Sequence, residues 1–175
     1  AAVSAGNDGP QCFTVRDAPA PYGTAFTVGA TDVNDRLASY SSRGPVTATR
    51  IRTRVYEGKV DISAPGSNVR SAYTAAGYAS LSGTSMATPH VAGAAALVMS
   101  AAPWLKGQPE KVMELLRQTA QRTGVANTST QAGQLCLRWS AADWPNPMIG
   151  WGRLDAFAAY QAAVQTQPPR VLGGR

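Results

Sequence analysis

Apolar residues in this chain fall into short unbroken runs and one long alanine-rich stretch, and these two patterns predict different elements. Residues 1–5 (AAVSA), 25–30 (AFTVGA) and 60–64 (VDISA) are small or β-branched at consecutive positions, and the first and third stop at turn formers, Asn7-Asp8-Gly9-Pro10 and Pro65-Gly66. Continuous apolarity over so few residues is the mark of strands covered on both faces, as in a parallel sheet. Residues 69–73 and 78–81 predict a hairpin across the turn at 74–77, and residues 46–56 a second hairpin. Residues 85–102 predict the clearest helix, stopped by Pro103. Residues 109–122 predict an amphipathic helix with Val112, Leu115, Leu116 and Thr119 on one face and Gly124 as its stop, and residues 155–165 a last helix. Mixed strands and helices of this kind predict an α/β architecture with a mainly parallel, doubly covered sheet.

The chain has 175 residues, of which 44% are hydrophobic, enough for one domain with a substantial core. Residues 1–165 are expected to fold as one unit, and residues 166–175, with Pro168, Pro169 and two glycines, to form a disordered tail. No run approaches the roughly 20 apolar residues that span a bilayer, so no membrane partner is expected. The net charge of +6 raises the question of nucleic acid. The basic residues are dispersed, however, and only Arg50, Arg52 and Arg54 cluster, at the alternate positions of a solvated strand face; no nucleic-acid partner is expected. Cys12 and Cys136 are too far apart in sequence for a paired metal motif. They are either two buried thiols or a disulfide, and a disulfide would fit a secreted or extracytoplasmic protein. Residues 1–5 have the character of a core strand, so a longer parent chain is expected.

Candidate chemistry gathers at the start of the long helix, in Leu81-Ser82-Gly83-Thr84-Ser85-Met86-Ala87-Thr88-Pro89-His90. Gly83 removes side-chain bulk before the helix. Ser85 falls where unpaired N–H groups and the helix dipole favour negative charge, so an alkoxide or oxyanion forming there would be stabilised. Ser85 read alone is also an ordinary helix cap. Pro89 lies in the first turns, where a missing N–H costs least, and the alanines and Gly93 make the helix slim.

The fifteen residues GTSMATPHVAGAAAL, 83–97, are very similar to the nucleophile segment of the subtilisin-like serine proteases (subtilases). Further segments resemble the family in the same order: Val3-Ser4-Ala5-Gly6-Asn7-Asp8-Gly9, Thr27-Val28-Gly29-Ala30-Thr31-Asp32, Ala38-Ser39-Tyr40-Ser41-Ser42-Arg43-Gly44-Pro45, Asp61-Ile62-Ser63-Ala64-Pro65-Gly66 and Gly150-Trp151-Gly152-Arg153-Leu154-Asp155-Ala156. The resemblance implies the C-terminal portion of the subtilisin-like three-layer α/β fold. It implies Ser85 as nucleophile, with the Asn7 side chain and the Ser85 N–H as oxyanion donors. Ser4, Ala5 and Gly6 would form a wall of the substrate pocket, with Gly83 and Thr84 beside it. Asp17 falls near the implied pocket floor, where a carboxylate would favour Lys or Arg in a substrate; the duller expectation is an ion pair with Arg16 or a loop cap.

A serine nucleophile needs a base. His90, the only histidine, stands about 140° around the helix from Ser85 and is expected to be a packed structural residue. The family's catalytic Asp and His precede the oxyanion asparagine, in motifs absent here. The same lack of a later histidine excludes an α/β-hydrolase elbow at Gly83-Thr84-Ser85. Two functions of different class remain: a serine endopeptidase of which this chain is an inactive part, and a non-catalytic binding domain on the same scaffold. The implied partners are a peptide or protein substrate, the missing N-terminal part of the catalytic domain, and a second copy through the exposed sheet edge. No cofactor is required; the family often binds calcium, but no carboxylate cluster marks a site.

Overall fold

The computed structural model describes residues 1–46, 58–74, 77–122, 136 and 143–166. Residues 47–56 of the expected hairpin, the stop at Gly124 and residues 167–175 of the expected tail lie outside them. Three short strands, β1 (Ala2–Ser4), β2 (Phe26–Thr31) and β3 (Ile62–Pro65), form a parallel sheet in the order β1-β2-β3. Val3 pairs with Thr27, and Val28 with Ile62. All of β2 is buried, as its unbroken apolar run requires. β4 (Val69–Ala72) and β5 (Tyr78–Leu81) form the expected antiparallel hairpin as a separate sheet, with Val69 opposite Leu81 and Ala72 opposite Tyr78, one residue off the register that a turn at 74–77 implies, because the Tyr73 N–H already donates to Gly77 O at 3.1 Å.

Helix α1 (Thr84–Ala101) packs on all three parallel strands and carries no charged residue. Its buried side, Ala87, Val91, Ala94 and Val98, meets Phe26, Val28, Ala30, Ile62 and Ala64 in the main core. α2 (Pro109–Gln118) and α3 (Ala156–Gln165) pack against α1, and Asp155 caps α3 by accepting from the Ala158 N–H at 2.8 Å. α2 stops four residues short of the predicted end. Gln121 leaves the helix to exchange both backbone hydrogen bonds with Arg153, a long-range pairing that local periodicity does not encode. Opposite the helices, alternate strand residues face loops and a smaller cluster of Ala5, Val15, Ala20, Val46 and Val60. Cys12 and Cys136 are joined in a disulfide. Among the described residues no helix is long and apolar enough to cross a membrane.

Candidate active site

The turn after β1 and the N-terminus of α1 meet at Asn7. Gly6 takes φ 104°, a left-handed backbone that turns the chain sharply, and a Cβ there would lie 2.8 Å from Ser42 Oγ. The turn is held by the Ser42 N–H donating to Gly6 O at 2.9 Å and the Asp8 N–H donating to Ser42 Oγ at 3.0 Å. On the helix side, the Gly83 N–H donates to Gly66 O at 2.8 Å. A Cβ on Gly66 would come within 2.6 Å of Ala30 Cβ and 2.8 Å of Gly83 O, so only glycine lets this loop lie against the helix start.

Thr84 links the two halves. Its N–H donates to Asn7 Oδ1 at 2.9 Å, and its hydroxyl lies 3.1 Å from the same oxygen. The hydroxyl also accepts from the Gly6 N–H at 3.2 Å. A backbone N–H can meet only the oxygen of an amide, so the Asn7 side chain is fixed with Nδ2 turned away from Thr84. That Nδ2 lies 3.4 Å from where a Gly83 Cβ would stand. Asn7 and Ser85 are both exposed. The helix begins at Thr84 with Gly83 as its cap, so the Ser85 hydroxyl is not a cap, and the Ser85 N–H has no acceptor among the described residues. An exposed hydroxyl thus sits at the positive end of an 18-residue helix, with a free backbone N–H and an oriented side-chain amide nearby.

The other expected site residues divide. Gly83 joins this group. Thr84, expected beside the substrate, is fully buried, and its side chain holds Asn7 and Gly6 instead. Ala5, expected in a pocket wall, is buried with Val15, Ala20, Val46 and Val60, so only its backbone can face a ligand. Ser4 and Gly6 are partly exposed. Asp17 is exposed in a turn, and no hydrogen bond among the described residues links it to the Ser85 group. The expected Arg16–Asp17 pair does not form: Arg16 Nε donates to Phe13 O at 2.7 Å.

His90 is not packed. It is exposed, and its Nδ1 donates to Met86 O at 2.9 Å, one turn back along α1. It shares with Ser85 a cleft of about 430 Å³ whose other walls include Val69, Tyr73, Leu81 and Met86. No hydrogen bond joins His90 to Ser85.

A second polar group went unnoticed in the sequence. Beneath the sheet, the Asp61 carboxylate accepts from the Thr27 N–H at 2.8 Å, Lys59 Nζ at 2.5 Å and Arg117 at 2.8 Å. Lys59 is 1% exposed and also donates to Ala25 O at 2.6 Å; burial lowers its pKa against the opposing pull of Asp61. The available signal was a lysine two positions before an aspartate in an otherwise apolar strand. Arg43 is 1% exposed, its Nε and Nη1 have no hydrogen-bond partner among the described residues, and burial lowers its pKa.

Residues 1–134 match the profile described as the Subtilase family. Subtilisin BL of Lederbergia lenta is 43% identical over 126 residues, 71% of this chain and 40% of that protein. Subtilisin Savinase of Lederbergia lenta is 46% identical over 110 residues, 62% of this chain and 35% of that protein. Among solved structures, the prenylagaramide maturation protease PagA superposes with a TM-score of 0.65 at 28% identity, covering 94% of this chain and 50% of that one. The self-cleaved protease domain of PatA gives 0.62 at 29% identity, covering 91% and 48%. The chain therefore spans 35–40% of the length of these two curated relatives and about half that of these two structures.

Proposed function

Because this chain belongs to the subtilase family, we propose that the protein carrying it is a serine endopeptidase, with Ser85 as nucleophile and with Asn7 and the Ser85 N–H as oxyanion donors. The observation that carries the reading is the Thr84 N–H on Asn7 Oδ1, which fixes the Asn7 amide beside the start of the helix with its Nδ2–H turned away from Thr84. Ser85 Oγ attacks the carbonyl carbon of the scissile peptide while a base takes its proton. The carbonyl oxygen gains negative charge and accepts hydrogen bonds from Asn7 Nδ2 and Ser85 N, both free to donate. Collapse of the adduct breaks the C–N bond, the protonated base returns its proton to the leaving amine, and water hydrolyses the acyl-enzyme. His90 does not serve as the base, because its ring is drawn back to Met86 O. The base is a histidine supplied from outside this chain, so the chain alone is inactive. The disulfide supports an extracytoplasmic setting.

Labelling the full-length protein with a fluorophosphonate tests this. Ser85 is expected to take the label, Ser85→Ala to abolish it, and Asn7→Ala to lower kcat with little change in KM. Full-length protein that hydrolyses peptides unchanged after Ser85→Ala would refute the assignment.

A further inference from the structure

Residues 38–42 border both halves of the site and touch neither Ser85 nor the Asn7 amide. The segment is itself fixed to the sheet. The Ala38 N–H donates to Ala30 O at 2.9 Å, and Ser41 Oγ accepts from the Ala30 N–H at 3.0 Å. Ser41 and Ser42 are fully buried, so their hydroxyls need partners within the protein. Ser42 directs its polar groups to the two residues that flank Asn7. Its N–H donates to Gly6 O at 2.9 Å, and its Oγ accepts from the Asp8 N–H at 3.0 Å. Tyr40 O accepts from the Gly9 N–H at 2.9 Å, which continues the same seam. The Tyr40 side chain serves the other half. Its hydroxyl donates to Gly66 O at 2.8 Å and lies 2.9 Å from Ser67 Oγ. Gly66 O also accepts from the Gly83 N–H at 2.8 Å, so both its lone pairs are engaged and the residue that caps α1 is held through it.

We propose that Ser42 and Tyr40 are positioning residues for the two oxyanion donors, Ser42 acting through Asn7 and Tyr40 acting on the Ser85 N–H through the Gly66–Gly83 contact. The proposal rests on the protease reading. Thr84 decides which way the Asn7 amide faces; Ser42 decides where the Asn7 backbone stands, because Gly6 and Asp8 are both tied to a residue anchored on β2. Two donors that converge on one oxygen work together only while the separation between them is held, and here a single short segment sets it. Asp8 is exposed, so its N–H can turn to water once the Ser42 hydroxyl is gone. Loss of that hydroxyl therefore loosens the turn without unfolding the chain.

The test is a set of mutant cycles on the full-length protein, with kcat expressed per serine titrated by fluorophosphonate so that unfolded material does not count. Ser42→Ala and Tyr40→Phe are each expected to lower kcat about two- to tenfold, the range of one hydrogen bond, with KM nearly unchanged. In an Asn7→Ala background Ser42→Ala is expected to lower kcat no further, since the group it positions is gone, while Tyr40→Phe keeps its whole effect. Ser42→Cys retains a weaker acceptor at the same place and should fall between the native protein and Ser42→Ala; it decides the matter where the alanine variant yields no titratable serine. A Ser42→Ala loss that adds fully to that of Asn7→Ala overturns the proposal, as does an effect confined to KM or a kcat that neither single variant moves. Asn7→Ala alone tests the reading beneath. Native kcat in that variant refutes the oxyanion assignment and the proposal with it, whereas additive losses refute the positioning role and leave the assignment standing.

Discussion

Thr84 is fully buried and reaches Asn7 twice, through its N–H at 2.9 Å and its hydroxyl at 3.1 Å from the same Oδ1. The residue before the proposed nucleophile thereby sets the direction in which the proposed oxyanion donor points. A side-chain amide on an exposed turn would otherwise rotate freely, and a donor that must be ordered during the reaction contributes less than one already aimed.

Removing the hydroxyl therefore tests orientation apart from donation. Thr84→Val keeps the shape and the backbone hydrogen bond but frees one side of Asn7 and leaves the Gly6 N–H without its acceptor. In the full-length protein kcat should fall about tenfold, the equivalent of one ordinary hydrogen bond of about 1.4 kcal/mol, with KM nearly unchanged. Thr84→Ser should recover most of the loss. A change confined to KM would show that Thr84 serves substrate binding instead.

Gly66 tests how closely the loop after β3 must lie against the helix start. Ala30 Cβ and Gly83 O stand within 2.8 Å of any added Cβ, and both are fixed by the sheet and by the helix entry. Gly66→Ala should cost about 1–3 kcal/mol of stability by overpacking, read as a lower urea midpoint. Because the displaced atom is Gly83 O, fluorophosphonate labelling of Ser85 in the full-length protein should slow as well. A stable variant that labels at the native rate would mean the loop moves without disturbing the serine.

Periodicity and turn chemistry carry most of the fold. The hairpin forms where the turn residues fall, though one residue out of the register that a turn at 74–77 implies, α1 begins one residue before its predicted start, and β2 lies fully buried in the run at residues 25–30. What local pattern cannot hold is pairing over long distance. α2 ends early because Gln121 answers Arg153, and Thr84 turns inward because Asn7, 77 positions earlier, takes its hydrogen bonds. Asn7 and Ser85 were singled out by the length of the segments that resemble the family, since the turn and the helix start alone read equally well as an ordinary turn and cap. Lys59 was not, because nothing in a lone lysine announces that a carbonyl and a carboxylate will enclose it.

The Cys12–Cys136 bridge joins positions 124 residues apart. In the chain-entropy model a loop of that length stabilises the folded state by about 5 kcal/mol, acting on the unfolded ensemble. It ties the segment following Asn7 to a small cluster of Leu37, Met148 and Ile149. Cys12→Ser with Cys136→Ser should lower the urea midpoint sharply, and dithiothreitol should lower the native chain to the same value. A native midpoint insensitive to reductant would mean that packing in that cluster alone holds the two segments together.

The buried Lys59 gives stability a pH dependence whose sign can be derived. Burial lowers its pKa below 10.5 in the folded chain, with Asp61 opposing and Arg117 adding to the fall. Between the folded and unfolded values the unfolded chain binds more protons, so stability rises with pH across that window. Below the window the cost of burying the ammonium is complete and constant; above about 10.5 it is gone. Lys59→Met removes this titration while leaving Asp61 bonded to Arg117 and the Thr27 N–H. The difference in unfolding free energy between native chain and variant should therefore shift in favour of the native chain as the pH approaches 10.5 from neutrality. Urea titrations at several pH values measure it, and taking the difference cancels the other titrating groups. A difference that moves toward the variant would mean that Asp61 outweighs burial and holds the ammonium charged.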